Sequence, residues 1–279
     1  MSAATHRCVW YTFTIPMLFL RRAYKILFLI LIQILFSILA LAIHSVVFTG
    51  RERRMRLLTW GMTLWAKSVS SVLGLKIRTT GRRPEKAGVF IVANHSSYTD
   101  ITVIGSILPA VFVSKAEVRS WPLFGALAKA GGTIFVNRET PRSTLAAIGE
   151  AGEELRAGAN VVVFAEGTTD NGNQVDAFMS SFFRIPAEAS APVLPVSLYY
   201  SAVDGRPASD MPSNETAWYH MPLFTHFWNL LSKKRVDVLV LFNEIIEPDR
   251  APHDRKALAA LAEERVREGF AKLKGMPRK

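Results

Sequence analysis

The chain has 279 residues, 49% of them hydrophobic, which is enough for one large domain or two small ones with a sizeable core and excludes a wholly disordered protein. Its formal charge of +11, from 34 Lys and Arg against 23 Asp and Glu, suits nucleic acid, an anionic membrane surface or an acidic small molecule. The single cysteine, Cys8, allows no intrachain disulfide and no thiol cluster for zinc.

Residues 1–56 hold eight basic residues and one acid, a net +7 that flanks the most hydrophobic stretch of the protein. Charge placed there favours a bilayer over nucleic acid. Residues 26–43, "ILFLILIQILFSILALAI", are interrupted only by Gln33 and Ser37, and their helix of roughly 27 Å nearly crosses a bilayer core. A cleaved signal peptide is the rival reading, with "ALA" at 40–42 as its cleavage site, but the lead-in is long and carries its own apolar run, "FTIPMLFL". Arg21, Arg22 and Lys25 precede the segment, and Arg51, Arg53, Arg54 and Arg56 follow it. Basic loop charge therefore sets no orientation, and the segment is expected either to span or to dip in and return. Residues 57–75, with Trp60, Trp65 and Lys67, predict a second helix, either amphipathic at the headgroups or packed in the ordinary way. Residues 1–76 are thus expected to form a membrane-anchoring helical pair.

Beyond residue 76 short β-branched runs alternate with helical stretches, the pattern of an α/β domain with a largely parallel sheet over residues 77–279. Strands are predicted over 90–93, 110–113, 133–136, 161–164, 193–198 and 236–242. A helix over 141–156 has Thr140 as its cap, Pro141 at its first position and Gly158 just past its end. Another, over 255–274, carries Leu258, Leu261, Ala262, Val266, Phe270 and Leu273 at helical spacing. No repeat or linker divides this region.

Chemistry-bearing residues gather where these strands end. "FIVANHSSYTD", residues 90–100, runs an apolar strand into His95 and Asp100. Five residues of regular helix turn through about 500° and would keep the two apart. With His95 in the turn after the strand and Asp100 in the first turn of the next helix, they meet, and an imidazole held by a carboxylate through one nitrogen is a general base through the other. "VVVFAEGTTDNG", residues 161–172, repeats the arrangement with Glu166 and Gly167; the glycine permits close backbone approach, with its amide free for an oxyanion. "GGTIFVNR", residues 131–138, ends a strand on Arg138, and Lys115 follows the 110–113 strand. Ligands in open α/β sheets collect at the carboxyl ends of strands, so these groups are expected to face one crevice. Each has a plainer reading: a loop histidine, a "DNG" turn, solubilising cations.

Taken together, Asn94-His95-x4-Asp100, Gly132 through Arg138, "FAEGTTD" at 164–170 and "VLPVSL" around Pro195 resemble, in order, the four motifs of the glycerolipid acyltransferase family. The resemblance implies an α/β acyltransferase domain behind a membrane-seated helical pair. It also implies transfer of a fatty acyl group from acyl-CoA or acyl-carrier protein to the free hydroxyl of a lysolipid, without a further cofactor, a metal or nucleic acid. His95 would be the base and Asp100 its orienting partner. Glu166, Gly167 and Thr168 would line the substrate loop, while Lys115 and Arg138 would hold an anionic headgroup. The resemblance implies 1-acylglycerol-3-phosphate as the acceptor, with lyso-ornithine lipid as the alternative, at the cytoplasmic face of the cell membrane. Two departures stand out: Ala165 replaces a proline, and Thr169 stands where the family has a phosphate-binding arginine. Residues 166–183, and the aromatic stretch 218–228, are closer to the lyso-ornithine lipid acyltransferase branch, whose acceptor has no phosphate. Arg184 is a candidate to replace the lost cation. A non-catalytic scaffold on the same fold is the alternative of another class.

Overall fold

The computed structural model describes residues 4–45, 50–121 and 124–276. Helix α1 (Ala4–Ser45) and helix α2 (Arg51–Leu73) run antiparallel, since Lys25 reaches the last carbonyls of α2 while Leu39 packs beside Gly61. Gly74, with φ of 83°, ends α2 in the left-handed conformation that glycine tolerates best. Strand β1 (Leu75–Gly81) follows at once, so the sheet starts inside the segment expected to be helical and slightly before residue 77.

The remaining elements, in chain order, are β2 (Phe90–Ala93), α3 (Thr99–Ile107), β3 (Val111–Lys115), α4 (Phe124–Ala130), β4 (Ile134–Val136), α5 (Pro141–Arg156), β5 (Val161–Phe164), α6 (Arg184–Ala189), β6 (Val193–Val203), β7 (Arg206–Pro207), α7 (Leu223–Ser232), β8 (Val236–Phe242) and α8 (Arg255–Lys274). One mixed sheet has the order β1-β8-β6-β2-β5-β3-β4, with β7 paired to β6. From β6 to β4 neighbouring strands are parallel, whereas β8 runs antiparallel to β6. Alternating side chains give the sheet two apolar faces. Ile91, Ala93, Val162 and Phe164 face the core under α2 and α3, while Phe90, Val92, Val161 and Val163 face the core under α5 and α8.

The helix of residues 141–156 has its expected limits, with Pro141 at its start, and so does that of 255–274. Strand β6 runs five residues past the expected end at 198, because Leu198, Tyr199, Tyr200 and Val203 stay buried. Lys115 is the last residue of β3 rather than the residue after a strand. In α2 the two tryptophans divide: Trp65 is buried in the core and Trp60 is 58% exposed.

Residues Met17–Ser45 of α1 are long and apolar enough to cross a membrane, and only 11% of their most apolar window is buried. Leu27, Phe28, Leu31, Ile34, Leu35, Ile38 and Leu41 face outward. Both ends of this stretch are nevertheless tied to the α/β body. The buried Lys25 Nζ donates to Leu73 O at 2.9 Å and Lys233 O at 2.8 Å, and Arg21 Nη1 donates to Ser232 O at 2.7 Å. Those carbonyls close α2 and α7, where helices leave unpaired acceptors and carry negative dipole ends. At the other end His44 Nε2 lies 3.0 Å from Ala130 O, the last residue of α4.

The Lys25 contacts are buried and charge-assisted. Lys25→Met is therefore expected to lower stability by roughly 2–3 kcal/mol, read as a lower urea midpoint in detergent; an unchanged midpoint would show that α1 is held by apolar packing alone.

Candidate active site

Parallel pairing brings the first two motifs together. Ala93 is in register with Phe164 on β5 and with Val196 on β6, so residues 94–100 and 165–170 leave the same edge side by side. Asn94 extends the ladder through its side chain: Nδ2 donates to Leu198 O at 3.0 Å, and Oδ1 accepts from Leu198 N at 2.8 Å. With β2 pinned this way, the chain turns at His95 and enters α3, whose first turn holds Asp100.

Asp100 is fully buried. Its Oδ2 accepts from His95 Nδ1 at 2.9 Å, Ser96 N at 2.8 Å and Ser97 N at 2.9 Å. Its Oδ1 accepts from the hydroxyl of Tyr200 at 2.6 Å, and that oxygen lies 2.6 Å from Thr99 Oγ1. Burial first, and then the Asp100 charge, push the Tyr200 phenol well above its ordinary pKa, so it stays protonated and donating. The His95 ring stacks on Phe164 with centroids 4.2 Å apart, and its side chain is 18% exposed. With Nδ1 turned to Asp100, Nε2 is the ring nitrogen left for a substrate.

The second loop touches the first: Asp170 N donates to His95 O at 3.3 Å. Glu166 is 8% exposed, and neither of its carboxylate oxygens has a hydrogen-bond partner among the described residues. Burial, then the Asp170 charge, raise its pKa to about 9; the nearby His95 main-chain N–H, outside hydrogen-bonding geometry, opposes this in part. Burial also raises the Asp170 carboxyl, whose Oδ1 accepts from Gly172 N at 2.7 Å while its buried Oδ2 is unpaired.

Gly167, at φ of 79°, departs from the expectation of a free amide. Its N–H donates to Phe164 O at 3.1 Å, because the chain reverses tightly after β5. The next amide, of exposed Thr168, has no acceptor among the described residues. Arg138 Nη1 donates to Gly167 O and the guanidinium lies over Phe182 at 5.6 Å, so it braces the loop, while its buried Nε has no partner among the described residues. A Cβ on Gly167 would fall 2.4 Å from that Nη1. Lys115 is exposed at the same sheet edge. Arg184 pairs with Glu188 at 2.8 Å and does not replace the missing arginine beside Thr169.

Sequence reading passed over Tyr98, Tyr200, Asp170 and His226. Tyr98 OH lies 3.0 Å from Nδ1 of buried His226, whose pKa burial lowers to about 4, so the ring stays neutral. The aromatic stretch 218–228 meets this loop and the core: Trp218 N donates to Ser96 O at 2.8 Å, its ring stands edge-on to Tyr98, and Phe227 and Trp228 pack against the apolar cluster under α2 and α3. Only Asp170 had a signal, as the acid at the position after Thr169; Tyr200 is a hundred residues from Asp100 and the sequence does not connect them.

A His–Asp pair at the carboxyl edge of a mixed α/β sheet is a general-base site. The acyltransferase family profile matches residues 75–199. The chain is 32% identical over 228 residues to the lyso-ornithine lipid O-acyltransferase of Rhizobium meliloti, covering 78% of each chain. It is 29% identical to the 1-acyl-sn-glycerol-3-phosphate acyltransferase of Neisseria meningitidis serogroup B, covering 72% of this chain and 77% of that one. The crystal structure of the 1-acyl-sn-glycerophosphate acyltransferase PlsC from Thermotoga maritima shares the fold, with a TM-score of 0.70 and 22% identity over 95% of this chain and 100% of that one. The chain therefore belongs to the acyltransferase family, and its substrates are a lysolipid and an acyl donor.

The raised Glu166 carboxyl carries a pH signature. Its folded pKa of about 9 lies above its ordinary 4.5, so its contribution is full below 4.5 and is lost as pH rises through about 9. Glu166→Gln should therefore gain melting temperature relative to the parent protein as pH rises across that window. A constant difference would mean that Glu166 is charged throughout.

Proposed function

We propose that the protein acylates the free hydroxyl of lyso-ornithine lipid, with a fatty acyl thioester of coenzyme A or acyl-carrier protein as donor. The reaction rests on one observation above the rest, the 2.9 Å contact between His95 Nδ1 and buried Asp100. His95 Nε2 takes the proton of the acceptor hydroxyl as its oxygen attacks the thioester carbonyl. Asp100 orients the ring and stabilises the imidazolium. The Thr168 amide, together with the loop held by Gly167, steadies the tetrahedral oxyanion, an effect worth roughly 3–4 kcal/mol for a well-placed donor. Collapse expels the thiolate, which recovers the proton from His95, so the products are an ester and a free thiol. No cofactor enters these steps.

The acceptor follows from the charge of the second loop. An ornithine headgroup carries an amine and a carboxylate and no phosphate. Thr169 removes the expected arginine, and the loop offers Glu166 and Asp170 instead, with buried unpaired oxygens that suit a donor-bearing headgroup. The Rhizobium meliloti relative supports the same acceptor. The second reading is 1-acylglycerol-3-phosphate, favoured by exposed Lys115 at the same sheet edge and by the Neisseria relative.

Residues 1–76 serve as the membrane seat and residues 77–279 as the catalytic unit. Because both ends of the apolar stretch of α1 are tied to the body, the helix lies along one leaflet with its outer face in lipid, and the catalytic unit stays on the cytoplasmic side, where thioester donors are made.

Purified protein in detergent, given labelled acyl-CoA or acyl-carrier protein, is expected to label lyso-ornithine lipid with a higher kcat/KM than 1-acylglycerol-3-phosphate; the reverse order selects the second acceptor. His95→Ala should lower kcat by at least about 100-fold, and Glu166→Gln should cost less. Turnover that survives His95→Ala removes the base from this scheme, and no incorporation into any lysolipid from either donor leaves a scaffold.

A further inference from the structure

Outside α1, α2 and α7, the exposed large hydrophobic side chains among the described residues are Leu145 at 51% and Met179 at 38%. Both line one cavity of about 540 Å³, together with Phe182 and three arginines, Arg138, Arg184 and Arg255. No Asp or Glu lines it. Pro141 and Thr144 also border it, so the amino end of α5, with no acidic residue in its first turn, opens on the same space. Arg184 is partly countered by Glu188, with contacts of 2.9 and 2.8 Å from Nε and Nη2. The volume falls in the range of small-molecule sites.

The cavity shares a wall with the catalytic loop. Met179 N donates to Ala165 O at 2.8 Å, and Arg138 Nη1 donates to Gly167 O. The same loop holds Glu166 and Thr168 and meets the His95 carbonyl through the Asp170 amide at 3.3 Å. A ligand anchored here by an anionic end, with a flexible arm over residues 165–168, would present its far end to the imidazole. Guanidinium groups pair with phosphates and stack on flat rings, while Leu145, Met179 and Phe182 offer apolar surface to such a ring. Phosphates and an aromatic base on a long arm ending in a thioester describe an acyl-coenzyme A. An acyl-carrier protein brings one phosphate and a protein surface too broad to enter a cavity of this size.

We propose that this cavity binds the phosphorylated adenosine end of an acyl-coenzyme A donor. The proposal rests on the acyl-transfer reading above. Arg255→Glu, and separately Arg184→Glu, are expected to raise the KM for acyl-coenzyme A by about tenfold. The KM for the lysolipid, and kcat at saturating donor, should stay unchanged. An S-acyl-pantetheine, which lacks the nucleotide, should show the same KM with the variants as with the parent. Titration calorimetry of the unaltered protein with coenzyme A and with its 3′-dephospho form provides a readout that needs no variant, and the dephospho form should bind more weakly. An acyl-coenzyme A KM unmoved by both variants overturns the assignment, as does a parallel rise in the lysolipid KM. So does an effect confined to acyl-carrier protein, which would make this basic surface a protein dock. Failure of the unaltered protein to transfer acyl groups from any donor would remove the parent reading instead.

Discussion

A fully buried carboxylate organises this molecule. Left unpaired, Asp100 would cost several kcal/mol, and the groups that satisfy it come from two parts of the chain, the turn just before α3 and strand β6. The amides of Ser96 and Ser97 fix the turn after β2, His95 supplies the ring, and Tyr200 reaches across from β6. Satisfying that charge and aiming the imidazole are therefore the same structural event. Phe164 completes the arrangement by stacking under the ring, so β5 supports the base as well as carrying the second loop.

The second loop shows the opposite economy. Glu166 and the Oδ2 of Asp170 are buried without partners, and burial raises the pKa of both carboxyls. A free protein with such groups carries an unfavourable arrangement that a donor-rich ligand relieves, which is the form binding sites take when stability yields to function. Arg138 supplies no relief, because its guanidinium is turned to the Gly167 carbonyl. In this fold the position of a cation matters more than its presence.

The N-terminal helix is positioned by similar means. Lys25 and Arg21 bind the carbonyls that end α2 and α7, and His44 meets the end of α4. Cations at helix carboxyl termini neutralise both unpaired acceptors and the dipole. The outward face is left to Leu27, Phe28, Leu31 and their neighbours. The same residues that look like a crossing segment thus form an exposed apolar face on a helix tied to the α/β body.

Local sequence determined the short-range features: the helix beginning at Pro141, the buried runs of β2 and β5, and the His95 and Asp100 pair, whose meeting needed only a turn followed by a helix. These are legible because propensity and periodicity act over a few residues. Strand β1 was not, since "LKIRTT" continues an apolar helix and only Gly74 marks the change. Tertiary structure alone decided that Tyr200 holds Asp100 and that Trp218 covers Ser96. It also decided that Gly167 gives its amide to Phe164 and that Arg138 binds the Gly167 carbonyl. Those contacts depend on which strands lie side by side and in what register, and the parallel pairing of Ala93 with Phe164 and Val196 joins segments about seventy and a hundred residues apart through packing that no local pattern encodes.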